Sequence, residues 1–330
     1  MKTDGVYIYN IIADDKDPIR SNSSYDLLFS CKDDKFEWLC LPDGVRFCIP
    51  IKKENGEPFD NIEDFLSNIP KGLDLKLDFD YKIIEHKSNH NIGEYYKNIY
   101  RPVVSYKLQS FHLAKQGNPY SDSYDDISIW NYRKEYLSHL RQLDLILEEL
   151  KIVFRVLEPT IDNKEAYGNS LRNIILLSCT EIDSMMSKIL KSNGVLVKDD
   201  RYSTNDYVKL KAAMRLNEYS LEFYEYEEMG VFSPYSLWNN QQPTQSLPWY
   251  DVYNKIKHDR ETYLKLATLD NALASIAAYA IIIIAQYGKD NSIWKEHMKM
   301  FFNITNSPKW YLEDFYIPHI HNLIPINYPF

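Results

Sequence analysis

The chain has 330 residues, 45% of them hydrophobic, which is enough for two domains with cores of their own. Its formal net charge is −9, so the surface as a whole repels nucleic acid, and any nucleic-acid site has to be a local basic patch. Only 10 glycines are present, with no GxGxxG and no P-loop pattern, which excludes the common phosphate-cradling loops.

Taken in chain order, the first third reads as strands. "GVYIYNII", "FEWLCLP" and "VRFCIPI" are short β-branched and aromatic runs bounded by Asp, Lys, Gly and Pro. "DNIEDFLSNI" (60–69) reads as one short helix, and "LDLKLDFDYKII" (73–84) alternates like a half-buried strand. The polar stretch "QGNPYSDSYDD" (116–126) reads as a linker. A β-rich domain is therefore expected over residues 1–120. The N-terminus carries no apolar core of signal-peptide length, and a cytoplasmic protein is expected.

Beyond the linker the period becomes helical. From Trp130 to Leu157, the residues Leu140, Leu143, Leu147, Leu150, Phe154 and Leu157 form a stripe, and Pro159 stops it. A second helix over 164–192 carries Leu171, Ile174, Ile175, Ser178, Ile182, Met185, Met186 and Ile189, with Gly194 ending it. "TNDYVKLKAAMRLN" suggests a short third helix. The aromatic stretch over 223–253 is expected to cover one end of the bundle, with base stacking as the rarer use. A fourth helical unit is expected from Trp249 through Ile284, and "SIWKEHMKMFFNI" as a fifth. "NALASIAAYAIIIIAQYG" (271–288) is just short of a membrane span and is expected to be a core helix, with no membrane association. The fold class implied is α+β: the β-rich domain, an all-α antiparallel bundle over 121–305, and an extended tail over 306–330 on the surface.

Metal and cofactor chemistry have little support. Cys31, Cys40, Cys48 and Cys179 match no zinc or redox spacing and are expected to be small buried hydrophobes. His319 and His321 alternate but have no third ligand nearby. No HExxH or GxSxG is present. No metal and no cofactor are expected.

The stretch "WYDVYNKIKHDR" (249–260) is different: an acidic chain gathers Lys255, Lys257, His258 and Arg260 at one helix end. Wound at about 100° per residue, Trp249, Val252, Tyr253 and Ile256 share one side. Asn254, Lys257, His258 and Glu261 share the other, and Asn254 lies one turn from His258. "YNKIKHDR" resembles the active-site segment of the HEPN superfamily, helical bundles that include many metal-independent ribonucleases of toxin–antitoxin, abortive-infection and CRISPR systems. "SLRNIILLSCTEIDSMMSKIL" (170–190) resembles the long second helix of those proteins, with Glu181 at the edge of its stripe.

The resemblance implies a homodimer whose facing motifs form a groove. It implies His258 as base or acid, Asn254 orienting substrate or histidine, and a defence or stress setting. The family's motif begins with an arginine, and this chain has Tyr253 there. Metal-free RNA cleavage needs a base for the 2′-hydroxyl and a cation for the phosphate. Arg260, Lys257 and Arg172 are the candidate substitutes, and the missing arginine argues against an active endoribonuclease. The expected function is thus a HEPN-like module binding RNA, a nucleotide or a protein partner around His258. The alternatives are a metal-independent ribonuclease and a purely structural scaffold.

Overall fold

The computed structural model describes residues 5–13, 24–32, 35–40, 49–50, 52–57, 59–68, 81–102, 127–289, 294, 298–317 and 323–330. The expected linker (116–126), Cys48, and the pair His319 and His321 lie outside them, as do parts of the expected strand at 73–84 and of the expected fifth helix. The chain mixes helix and strand, as an α+β protein does.

Its elements run β1 (Gly5–Ala13), β2 (Ser24–Lys32), β3 (Lys35–Cys40), β4 (Ile49–Pro50), α1 (Ile62–Ser67), β5 (Tyr81–Lys87) and β6 (Glu94–Tyr96). Then come α2 (Ile127–Phe154), α3 (Asn169–Ser192), α4 (Thr204–Tyr207), α5 (Lys209–Ala213), β7 (Ser220–Phe223) and α6 (Pro248–His258). The last are α7 (Arg260–Tyr263), α8 (Leu269–Tyr287), β8 (Phe302–Asn306) and β9 (Ile324–Ile326).

The chain divides into two compact units. One comprises Met1–Tyr95, Arg101–Trp130 and Trp310–Ile326; the other comprises Tyr96–Tyr100, Asn131–Lys309 and Asn327–Phe330. The first unit holds a five-stranded sheet in the order β4-β3-β2-β1-β5. β1 pairs antiparallel with β2 and with β5, so Tyr7 lies between Phe29 and Lys87. Val6 and Ile8 are two apart, share a face and pack with Ile317. In α1 the Asn61 side chain accepts from the Asp64 N–H at 2.8 Å, and Phe65 meets Phe59 edge to face at 5.3 Å.

The end of the chain does not form a surface tail. Residues 310–326 join the first unit, where Tyr316 and Ile317 are buried and β9 pairs with β6. The His86 Nδ1 meets Glu313 Oε1 at 2.8 Å in the same unit. Residues 327–330 belong to the helical unit, where the Tyr328 N–H donates to Asn193 Oδ1 at 2.8 Å just past α3.

The helical unit is built round α8. Nearly all of Leu269–Tyr287 is buried, including every residue from Ser275 to Tyr287. Among the described residues it is the one helix long and apolar enough to cross a membrane, and 83% of that stretch is buried in the fold. A helix apolar all round needs neighbours all round. α3 supplies one with Leu171, Ile174, Ile175, Ser178, Cys179, Ile182, Met185, Met186, Ile189 and Leu190 buried. α2 supplies another: the Tyr279 hydroxyl donates to the His139 carbonyl at 3.2 Å, and Tyr136 packs on Tyr287.

The helix directions depart from a fully antiparallel bundle. α3 and α8 begin side by side, joined by a bridge between Tyr167 and Thr268 and by the Leu269 N–H donating to the Ala166 carbonyl at 2.9 Å. They therefore run the same way. α2 runs against α3, with Glu135 paired to Lys188 at 2.7 Å. α6 also runs against α3, since Arg172 reaches Ile256 while Asp183 reaches Tyr250.

Candidate functional site

The expected single helix from Trp249 to Ile284 is broken. α6 stops at His258 because Asp259 leaves the helical region at φ −140° and ψ 89°. Its carboxylate then accepts from the Thr262 N–H at 3.1 Å and caps α7. Hydrogen bonding to Thr262 holds this carboxyl below the usual carboxylate range. The break separates Arg260 from the helix that carries His258, so a continuous wheel does not describe the pair.

One side of α6 is core. Trp249, Tyr250, Val252, Tyr253 and Ile256 are buried. Tyr235, Trp249, Tyr250 and Tyr253 touch ring to ring at centroid distances of 5.7, 5.6 and 5.2 Å. With Trp238 also fully buried, these rings are packed and unavailable for stacking on bases.

Tyr253 is 2% exposed. Its hydroxyl donates to Asp183 Oδ2 at 3.3 Å and accepts from Lys257 Nζ at 3.0 Å. Tyr250 donates to Asp183 Oδ1 at 2.5 Å, and Lys257 also lies over the Tyr253 ring at 4.9 Å. Burial pushes the Asp183 carboxyl up, against the hydrogen bonds from Tyr250 and Tyr253 that pull it down. Burial also raises the neighbouring Cys179 thiol, helped by Asp183, so this cysteine is held as the thiol. The hydrogen bond to Tyr253 raises Lys257 and keeps it cationic.

The other side of α6 is polar. Lys255, Lys257 and His258 are exposed and Asn254 is half-buried. His258 and Asn254 have no side-chain hydrogen bond among the described residues. Arg172, from the first turn of α3, donates through Nε and Nη2 to the Ile256 carbonyl at 3.3 and 3.2 Å. It thereby satisfies a carbonyl at the negative end of α6. Arg260 reaches the same end of α3, donating to Asn169 Oδ1 at 3.3 and 3.0 Å.

The fold thus ties Arg172 and Arg260 to the junction of the end of α6 with the start of α3, with Asn254 and His258 on the same last turns of α6, while the Lys257 ammonium turns back to Tyr253. It does not bring in Glu181. That residue is half-buried, its carboxyl raised by burial, and its charge acts on Tyr279 of α8. Asp183, two residues on and about 200° round the helix, is the acid that faces α6. Asp183, Tyr250 and Asn169 carry no local sequence signal that marks them as part of this region. The acids at 181 and 183 flank the core residue Ile182, and the sequence alone does not say which one meets α6.

Among the described residues no group of three His, Cys, Asp or Glu side chains is placed to hold a metal ion. Comparison with protein-family models, with curated proteins and with solved structures gives no significant match.

Proposed function

We propose that the helical unit is a HEPN-like module that pairs with a second copy and binds RNA through the cations at the end of α6, without cleaving it. The carrying observation is Tyr253. Where the motif has an arginine, this chain has a buried phenol tied to Asp183 and Lys257. A preorganised cation at a developing charge is worth roughly 10²–10³ in rate, and here that position has none.

What remains suits phosphate binding. Lys257 uses one donor on Tyr253, and Arg172 Nη1 has no hydrogen-bond partner among the described residues. With Arg260, and with His258 on the same helix end, they supply local positive charge on a chain of net charge −9. Metal-independent ribonuclease activity is the second reading. It is favoured by Arg172, a guanidinium held on the Ile256 carbonyl, two residues before His258.

The test is binding of fluorescent single-stranded RNA by anisotropy over a salt series in EDTA, with gel analysis of the same samples. Lys257→Ala and Arg260→Ala are each expected to reduce the salt slope by about 0.7, one phosphate contact each, with the RNA intact. Cleavage that Arg172→Ala and His258→Ala both abolish would establish the second reading. RNA affinity indifferent to all these substitutions would refute both.

A further inference from the structure

Tyr167, two residues before α3, is 59% exposed, and neither its ring nor its hydroxyl has a partner among the described residues. A lone exposed tyrosine is ordinary on a protein surface, so its setting decides what it can do. Its backbone is held before and after. The Leu269 N–H donates to the Ala166 carbonyl at 2.9 Å, the Gly168 N–H to the Ala267 carbonyl at 3.3 Å, and Tyr167 itself bridges to Thr268. The ring therefore stands on a fixed base, and little backbone freedom is left to lose when something lies on it. Gly168 is fully extended, at φ 175° and ψ 176°. Across an extended residue the two neighbours project to the same side, about 7 Å apart. The neighbour of Tyr167 in this sense is Asn169, whose Oδ1 holds the Arg260 guanidinium at 3.3 and 3.0 Å. An exposed ring and an anchored guanidinium thus share one side of the chain.

That pairing has a chemistry. An aromatic face takes the face of a nucleobase, whichever base it is, and a guanidinium takes phosphate oxygens. Arg260 spends Nε and Nη2 on Asn169, and its Nη1 has no hydrogen-bond partner among the described residues. We infer that Tyr167 is the residue on which an unpaired base of the bound RNA stacks, with Arg260 on a phosphate next to that base. The inference rests on the reading that the cations at the end of α6 bind RNA, and it adds what those cations lack. Charge alone grips any phosphate backbone. A ring that needs a free base face restricts the site to single-stranded segments, because the bases of a duplex are already stacked on one another.

Anisotropy with the full chain and three labelled RNAs of one length tests it: an oligoadenylate, the same strand made abasic throughout, and a duplex. The oligoadenylate is expected to bind about tenfold tighter than the abasic strand, the scale of one base stacked on one ring. Tyr167→Ala is expected to erase that difference. It should leave the abasic strand, the duplex and the salt slope as in the parent, since no phosphate contact is lost. Tyr167→Phe keeps the ring and is expected to match the parent. Circular dichroism is expected to be the same for all three proteins, because the side chain is exposed. An oligoadenylate affinity that Tyr167→Ala leaves unchanged overturns the stacking role and leaves RNA binding through the cations standing. A loss shared equally by the abasic strand also overturns it, since the ring would then act on the fold or on the backbone contacts. RNA bound by none of the proteins at any salt overturns both readings.

Discussion

α6 and α8 belong to the same unit and show opposite uses of a helix. α8 is buried nearly all round, and its tyrosine Tyr279 spends its hydroxyl on the His139 carbonyl. α6 is buried on one side only, and its other side ends in Lys257 and His258. The first kind of helix can do nothing but hold the unit together. The second has a fixed back and a free front, and the back positions the front: Asp183 holds Tyr253, and Tyr253 holds Lys257. A side chain that reaches solvent while anchored in this way keeps a direction that a lysine on a bare surface loses to entropy.

The comparison breaks most sharply in α8. Ile281→Ala removes a fully buried side chain and is expected to cost about 2–5 kcal/mol in urea unfolding. A cost well under 1 kcal/mol would mean that α8 is not the core.

The back of α6 gives the next effect. Tyr253→Phe takes away the hydroxyl between Asp183 and Lys257 and is expected to cost about 1–2 kcal/mol. Asp183 adds a pH signature. Its folded carboxyl sits above the ordinary 3.8, so as pH rises the unfolded chain loses this proton first. Between 3.8 and the folded value the native state holds more protons, and stability falls with rising pH. Asp183→Asn removes that slope. The stability of the wild type relative to this variant should therefore decline through the acid range and level off above it. A difference that stays flat there, in unfolding curves taken from about pH 3 to 7, would show that burial does not govern this carboxyl. The front of α6 gives the smallest effect: His258→Ala should stay within about 0.5 kcal/mol of the parent in stability. A larger loss would place His258 on the back of the helix after all.

How much of this the sequence carries depends on the range of the interaction. The stripe on α3 is legible from Leu171 to Ile189, because a period of 3.6 is a local property and all eight expected positions are buried. The polar side of α6 is legible for the same reason. The break at Asp259 is not: in "KHDR" an aspartate reads as one more solvated charge, and its extended backbone together with the carboxylate's bond to the Thr262 N–H makes it a cap. "FFNI" has the local look of a helix end, yet β8 pairs with β7, about 80 residues earlier in the chain. The return of Ile317 to pack on Val6 and Ile8 in the first unit is a contact of the same long-range kind. Glu181 and Asp183 are equal candidates until the direction of α6 is known, and nothing local sets that direction.

The shared start of α3 and α8 bears on how the molecule comes into being. The bridge from Tyr167 to Thr268 closes a loop of 268 − 167 = 101 residues. During synthesis the apolar side of α3 leaves the ribosome long before the helix that covers it. Until α8 follows, that side has α2 and α6 for company but lacks its largest partner. Late closure of this kind slows folding and lengthens the interval in which sticky surface is on show, so this protein's vulnerability to aggregation is greatest while it is being made.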